Sequence, residues 1–203
     1  MYADDGIVLL LCIMNLAPRR WIVAVILGLL AGCSDSPKNT FEGYKAWAER
    51  GDPVAQYNLG FCYRNGEGVA KDFVQAVSWY RKAAEHGDAE AQFNLGNCYA
   101  NGEGVAKDQV QAVSWYRKAA DQGLAVAQFN LGVCYLYGQG VVKDLNVAYA
   151  YWSVAGITNE DVRNNLARIE RQMSAGQIAD GKKRAAELQK QIDTRIAAKK
   201  PRK

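Results

Sequence analysis

Residues 51–86 and 87–122 align without a gap and are identical at 28 of 36 positions. No other feature constrains the fold as strongly. A unit recurring at a fixed period of 20–50 residues has to stack on its own copies, because one copy is too small to bury its apolar face. A third copy, 123–158, follows and drifts after Asp144.

Each copy reads as two helices. Asp52 followed by Pro53 supplies an N-cap and a first-turn proline. Ala55, Leu59 and Tyr63 then fall at i, i+4 and i+8, one face of a helix. Gly66 and Gly68 break it. Asp72, with Gln75 three residues on, has capping-box spacing and opens a second helix. Ala76, Trp79 or Tyr80, and Ala83 form its apolar face, and Gly87 ends it. The second copy repeats these signals at Asp88, Leu95, Tyr99, Asp108, Gln111, Trp115 and Gly123. Small residues (Ala55, Gly60, Ala76, Ala83) opposite large aromatics suit closely packed helices. Leu59 and Ala76 are therefore expected in the core.

The pattern Ala-Gln-x-Asn-Leu-Gly-x-x-Tyr, then Gly-x-Gly-Val-x-x-Asp, then Ala-x-x-Trp-Tyr-x-x-Ala-Ala resembles the Sel-one-like repeat family, a cousin of the tetratricopeptide repeats. The resemblance covers residues 51–158. It implies an all-α chain, a right-handed α/α solenoid of helix-turn-helix repeats that binds proteins along a groove lined by the first helices. Residues 40–158 would form the domain: a half repeat, Thr40–Arg50, with Asn39 and Glu42 at capping-box spacing, then the copies 51–86, 87–122 and 123–158. Residues 159–203 would form a capping helix pair ending in a basic tail. Val162, Leu166, Ile169 and Met173 line one helical face, and Ser174 through Ile192 begins the next helix, as in the capping pairs of the family. Asn146, Val147, Tyr149 and Trp152 depart from the usual residues, as a terminal repeat with a different neighbour would.

The first 32 residues read as an address. Arg19 and Arg20 precede the apolar run Trp21 to Leu30, which closes on Leu30, Ala31, Gly32 and Cys33. A basic start, an apolar core of about ten residues and small residues before a cut describe a secretory signal. The run is shorter than the roughly 20 residues a membrane-spanning helix needs. The closing four residues resemble a bacterial lipobox, which implies cleavage before Cys33 and acylation of its thiol, with residues 33–39 as a short linker. Several acyl chains, at about 0.8 kcal/mol per CH₂, hold a protein on a membrane stably. Ser34 and Asp35 after the cysteine fit the outer-membrane side of the sorting rule of enteric bacteria, with the inner membrane the alternative. Met14 would open a signal of ordinary length. Tyr2-Ala3-Asp4-Asp5 is similar to the catalytic box of reverse transcriptases, read here as a chance match or a mis-set start.

Catalytic and metal chemistry find little to work with. At 49% hydrophobic and 23% charged residues the chain suits a folded body, and it carries a single histidine, His86. His86 stands at the end of a second helix, where a helix dipole favours it, and the next copy has Gln122. Cys62, Cys98 and Cys134 recur at one repeat position. Adjacent helices lie roughly 8–10 Å apart, beyond the roughly 7 Å between Cα atoms that a disulfide permits. With no second Cys or His beside them they read as buried free thiols, without a metal. Asp72, Asp108 and Asp144 repeat because caps repeat. Gly66-Glu67-Gly68-Val69 lacks the lysine and preceding strand of a phosphate loop. Trp79, Tyr80, Trp115, Tyr116 and Trp152 read as core. No cofactor, catalytic residue or small-molecule substrate is expected, and the chain reads as no enzyme.

What remains is binding. On the first helices the copies differ at Phe61/Asn97/Val133, at Arg64/Ala100/Leu136 and at Asn65/Asn101/Tyr137. Positions three apart share a helix face. Phe61, Arg64, Asn97, Val133, Leu136 and Tyr137 are the candidate partner-binding residues, with ordinary solvent-facing variation as the competing reading. The charge is uneven. Residues 178–203 hold nine Lys/Arg against three acids, whereas 34–177 hold fourteen against sixteen, within a net charge of +4. Ile178, Ala185, Leu188 and Ile192 keep an apolar stripe inside that tail, which either docks on the solenoid end or leaves the helix to meet an anionic surface. The reading is a lipid-anchored, periplasm-facing adaptor with an unidentified protein partner and no nucleic acid. The alternative is a structural envelope component held to the cell wall by the basic helix.

Overall fold

The computed structural model describes residues 40–156 and 160–199, all helix and connecting turns among the described residues. The leader, the lipobox with Cys33, the 33–39 linker and Asn39 lie outside the described residues. No described helix is long and apolar enough to cross a membrane. In chain order the helices are α1 (Phe41–Ala48), α2 (Pro53–Asn65), α3 (Phe73–Glu85), α4 (Ala89–Asn101), α5 (Gln109–Ala120), α6 (Ala125–Tyr137), α7 (Leu145–Val154), α8 (Glu160–Glu170) and α9 (Ala175–Lys199). The repeat is thus α2–α3, α4–α5 and α6–α7, an α/α solenoid preceded by the half repeat α1.

The caps explain where the helices start and stop. Asp52 and Asp88 accept from the backbone N–H three residues on, each at 2.7 Å. Asp72 accepts from Val74 and Gln75, and Asp108 from Val110 and Gln111. The Asp72 N–H donates to Tyr63 O, so the cap also ties the turn to the helix before it. First helices end on Gly66, Gly102 and Gly138 with φ of 80°, 79° and 70°, the left-handed conformation glycine adopts without cost. Two boundaries differ from the expectation. α1 is capped by Thr40, whose Oγ1 accepts from Gly43 N at 3.2 Å, where the sequence pointed to Asn39 with Glu42. The third copy diverges before Asp144: Leu124 replaces Asp52 and Asp88, and α6 has no side-chain cap. Leu124 packs instead on the core of α5 and α6.

The core is built at the junctions between copies. Ala76, Val77, Tyr80, Ala83 and Ala84 of α3 meet Ala91, Leu95 and Cys98 of α4. The same set recurs one copy on, where Ala112, Val113, Tyr116, Ala119 and Ala120 meet Ala127, Leu131 and Cys134. Leu59, Leu95, Leu131 and Ala76 are fully buried, and each such leucine contributes about 1.5–3 kcal/mol. Between Trp79 and Tyr80 it is Tyr80 that fills the core. Gly60 explains why: a Cβ there would sit 2.7 Å from the Tyr80 ring, and one at Gly96 would sit 2.6 Å from Tyr116. In the third copy Gly132 meets the larger ring of Trp152, whose Nε1 donates to Phe129 O at 3.0 Å.

Beyond α7 the chain caps itself. Val162 and Ile169 are buried against Leu136, Tyr149 and Trp152, with Leu166 partly so. Met173 joins them from just past the end of α8. Helix α9 then lies along α7: Gly181 abuts the Tyr149 ring, and Leu188 packs against the cluster containing Tyr135, Val147 and Tyr151. Tyr149 stands where the earlier copies have Val77 and Val113, which is how the third copy reaches this added helix.

Candidate functional site

The six candidate binding residues separate by what lies next to them in the stack. Phe61 on α2 remains 40% exposed. One turn on, Arg64 reaches across to the next copy, donating from Nη1 to Asn94 Oδ1 at 3.3 Å and pairing Nη2 with Glu103 Oε2 at 3.3 Å. Asn97 accepts from the Tyr116 hydroxyl at 2.7 Å and from Asn130 Nδ2 at 3.5 Å. Arg64 and Asn97 are thus half-buried rungs between first helices. Val133 is half-buried in the cluster formed by α6, α7 and α8. Tyr137 is 59% exposed, and its hydroxyl accepts from Arg168 of α8 at 3.0 Å.

Leu136 corrects the sequence reading. It is 6% exposed and packed with Ile169 and Met173. It therefore offers no surface to a partner. The 64-equivalent position changes between copies because its neighbour changes. A polar rung follows the first copy, and an apolar capping helix follows the third. Phe61 and Tyr137 are the large side chains of the set that keep exposed surface.

The chemical candidates resolve as scaffold. Cys62, Cys98 and Cys134 are unbonded and buried. Burial pushes the thiols of Cys98 and Cys134 up to about 11 and raises that of Cys62. Thiolate is the reactive form, so these are poor nucleophiles at neutral pH. His86 Nδ1 lies 2.8 Å from Lys82 O, at the C-cap of α3. Asp72, Asp108 and Asp144 are all N-caps. Trp79 and Trp115 are half-buried rather than core, with the ammonium of Lys82 and Lys118 over their rings at 3.8 and 3.7 Å. Among the described residues no group of three His, Cys, Asp or Glu is placed to hold a metal ion.

The basic helix is docked. Ile192 and Ala185 are buried, and Arg184 pairs with Asp144 at 3.6 Å. Arg195 pairs with Asp121, and Lys199 donates to Gln122. These exposed pairs are worth at most about 1 kcal/mol each, so the apolar stripe carries the docking. Lys182, Lys183 and Lys190 face solvent.

Two ladders escaped the sequence reading. Gln56, Gln92 and Gln128 are buried, and each donates to the last-turn carbonyl of the preceding helix, Ala48, Ala84 or Ala120. Arg81 donates to Tyr99 and Arg117 to Tyr135, both at 2.9 Å, again from one copy to the next. Their signal was a polar residue held fixed at one repeat position. A buried glutamine needs partners, and the carbonyl each of these uses comes from the preceding copy or half repeat.

The Sel1 repeat model matches residues 53–88, 89–124 and 125–156. The chain belongs to the Sel1 repeat family. Its helix pairs are also similar to solved structures. One is a protective antigen present in uropathogenic Escherichia coli strains and displaying an SLR fold, at 33% identity and a TM-score of 0.50 over 80% of this chain. A second is a Sel1 repeat protein from Oxalobacter formigenes, at 40% identity and a TM-score of 0.57 over 62% of this chain and 95% of that one. This chain spans 44% of the length of the Escherichia coli protein. No curated protein matches it. Sel1 repeats form a non-catalytic scaffold that generally mediates protein–protein interaction.

Proposed function

We propose that this Sel1 repeat protein is a lipid-anchored adaptor of the bacterial envelope, facing the periplasm, that holds a protein partner on its first-helix face and catalyses nothing. One observation carries the binding half of this reading: Phe61 keeps an aromatic face open beside a position where every other copy is closed by a rung or by the capping helix. Exposed aromatics beside a polar rim are the usual composition of an interface centre. The anchoring half rests on the lipobox, Leu30 to Cys33, behind its short apolar run. The outer membrane is the favoured site, from Ser34 and Asp35. No small-molecule substrate or nucleic acid has a place in this reading. The docked α9 supports a capping role for the tail over attachment of the chain to the cell wall, because its apolar stripe and three of its cations face the solenoid.

Crosslinking in intact cells, followed by identification of the captured protein, tests the adaptor. A defined protein lost on Phe61→Ala supports it, whereas salt-sensitive sedimentation with cell-wall material alone favours the structural alternative. Mass spectrometry of the mature chain tests the anchor: acylated Cys33 as first residue is expected, and mature protein retaining Trp21 would overturn it.

A further inference from the structure

Each full copy turns one stripe of its second helix onto its own first helix. In the first copy the stripe is Ala76, Tyr80 and Ala83, at i, i+4 and i+7. Gly60 of α2 lies against it, where a Cβ would come 2.7 Å from the Tyr80 ring and 3.2 Å from Ala76 O. Ala83 and its equivalent Ala119 are 0% exposed, and Ala155 is 5% exposed. Helix α1 is the second helix of a half repeat, and no first helix precedes it among the described residues. Its matching stripe carries Tyr44 and Trp47. Where the copies bury an alanine, α1 has a tryptophan that stays 41% exposed.

That exchange excludes one occupant. A helix seated on α1 as α2 sits on α3 would have to clear an indole where the copies have a methyl group. The stripe is therefore not shaped for a further repeat helix. Its chemistry suits a bilayer surface instead, because Tyr and Trp join an apolar ring to a polar edge and concentrate at the headgroup level. The Arg50 guanidinium lies 5.4 Å from the centroid of the Trp47 ring, a cation beside an apolar face, as interfacial side chains require. Over residues 41–50 the charges balance, Glu42 and Glu49 against Lys45 and Arg50, so attraction would come from the rings and not from net charge. The tether supplies proximity. Cys33 and Thr40, the N-cap of α1, are seven residues apart. That separation reaches at most about 25 Å when fully extended. Helix α1 is thus the first folded element beyond the anchor.

We propose that the Tyr44–Trp47 face of α1 seats in the headgroup layer of the phospholipid membrane that holds Cys33. The inference rests on the lipid-anchored reading above and adds an orientation to it, with the α1 end of the solenoid against the bilayer.

The test uses the mature chain, its acylation checked by mass spectrometry, in vesicles of phosphatidylethanolamine and phosphatidylglycerol. Part of the lipid is brominated high on its acyl chains, and bromine quenches tryptophan on contact. The parent is expected to be quenched. Trp47→Phe is expected to remove most of that quenching, and Trp115→Phe, on the second-helix face of the second copy, to leave it unchanged. Circular dichroism melts that match the parent hold the fold constant across the variants. Because α1 is charge-balanced, the Trp47 signal is expected to survive molar salt. Equal quenching in the parent and in Trp47→Phe overturns the proposal and leaves the ring to the linker, a second copy or the protein partner. A signal that salt removes also overturns it, by assigning the contact to the cations of α9. An acylated chain with Trp47 unquenched keeps the anchor and loses only this orientation. A chain without acyl groups on Cys33 ends the anchored reading, and this inference with it.

Discussion

The second and third copies begin from nearly one sequence and end against different neighbours. Helix α4 looks onto another repeat, and its 61- and 64-equivalents are Asn97 and Ala100, which leave polar rungs and a cavity. Helix α6 looks onto the capping helix α8, and the same positions are Val133 and Leu136, drawn into an apolar cluster. Between them Tyr116 becomes Trp152, which joins the cluster with Val162 and Ile169, and Val113 becomes Tyr149, whose hydroxyl reaches Glu170. In a stacked fold, then, a change between copies reports first on the next layer of the stack. Only a change that leaves a side chain exposed reports on a ligand.

That contrast can be broken most easily at Leu136. Leu136→Ala is expected to cost roughly 2–5 kcal/mol, the same class as Leu95→Ala, as a large-to-small change in a packed core. Thermal or urea melts decide it, and a cost below about 0.5 kcal/mol would return Leu136 to the surface. Gly132→Ala comes next. Its Cβ would overlap the Trp152 indole and should cost about 1–3 kcal/mol as overpacking. The matching Gly96→Ala, facing Tyr116, should behave alike, and a neutral result at either site would show that the aromatic ring can move aside.

The thiols sharpen the comparison through pH. Cys98 and Cys134 are both raised from 9.0 to about 11 by burial. The folded chain keeps these protons after the unfolded chain releases them, so their contribution is complete below pH 9 and lost as pH rises toward 11. Each loss is at most about 3 kcal/mol, because the shift is about two units and one pKa unit is about 1.4 kcal/mol. Denaturant midpoints across that window should fall less steeply in Cys98→Ala, and an unchanged slope would mean the thiol is wetter than its burial implies. The smallest effect belongs to Phe61→Ala, expected within about 0.5–1 kcal/mol of the parent as a surface change. Its partner capture should fall nonetheless, since an aromatic at an interface centre can be a hot spot. If Phe61→Ala melts like Leu95→Ala, the open face has been placed on the wrong side of α2.

Much of this molecule is legible before any coordinates, because repetition exposes local rules. Asp caps, left-handed glycines and the Ala–Leu–Tyr face are decided within a few residues of chain, by backbone hydrogen bonding and helical period. Their recurrence at 36 residues then requires stacking, since a lone pair of helices cannot cover its apolar side. The family, the all-α solenoid, the buried Leu59 and the scaffold role of the aspartates follow from that much. What tertiary structure alone decided is which neighbour each variable side chain meets. Leu136 reads as an exposed interface leucine until α8 is laid over it. Arg64 reads as a surface cation until Asn94 and Glu103 are brought to it from thirty and thirty-nine residues away. The buried glutamines and the Ala100 cavity are likewise properties of two copies in contact. A long-range contact depends on the geometry of both partners, and the pattern on either one alone does not contain it.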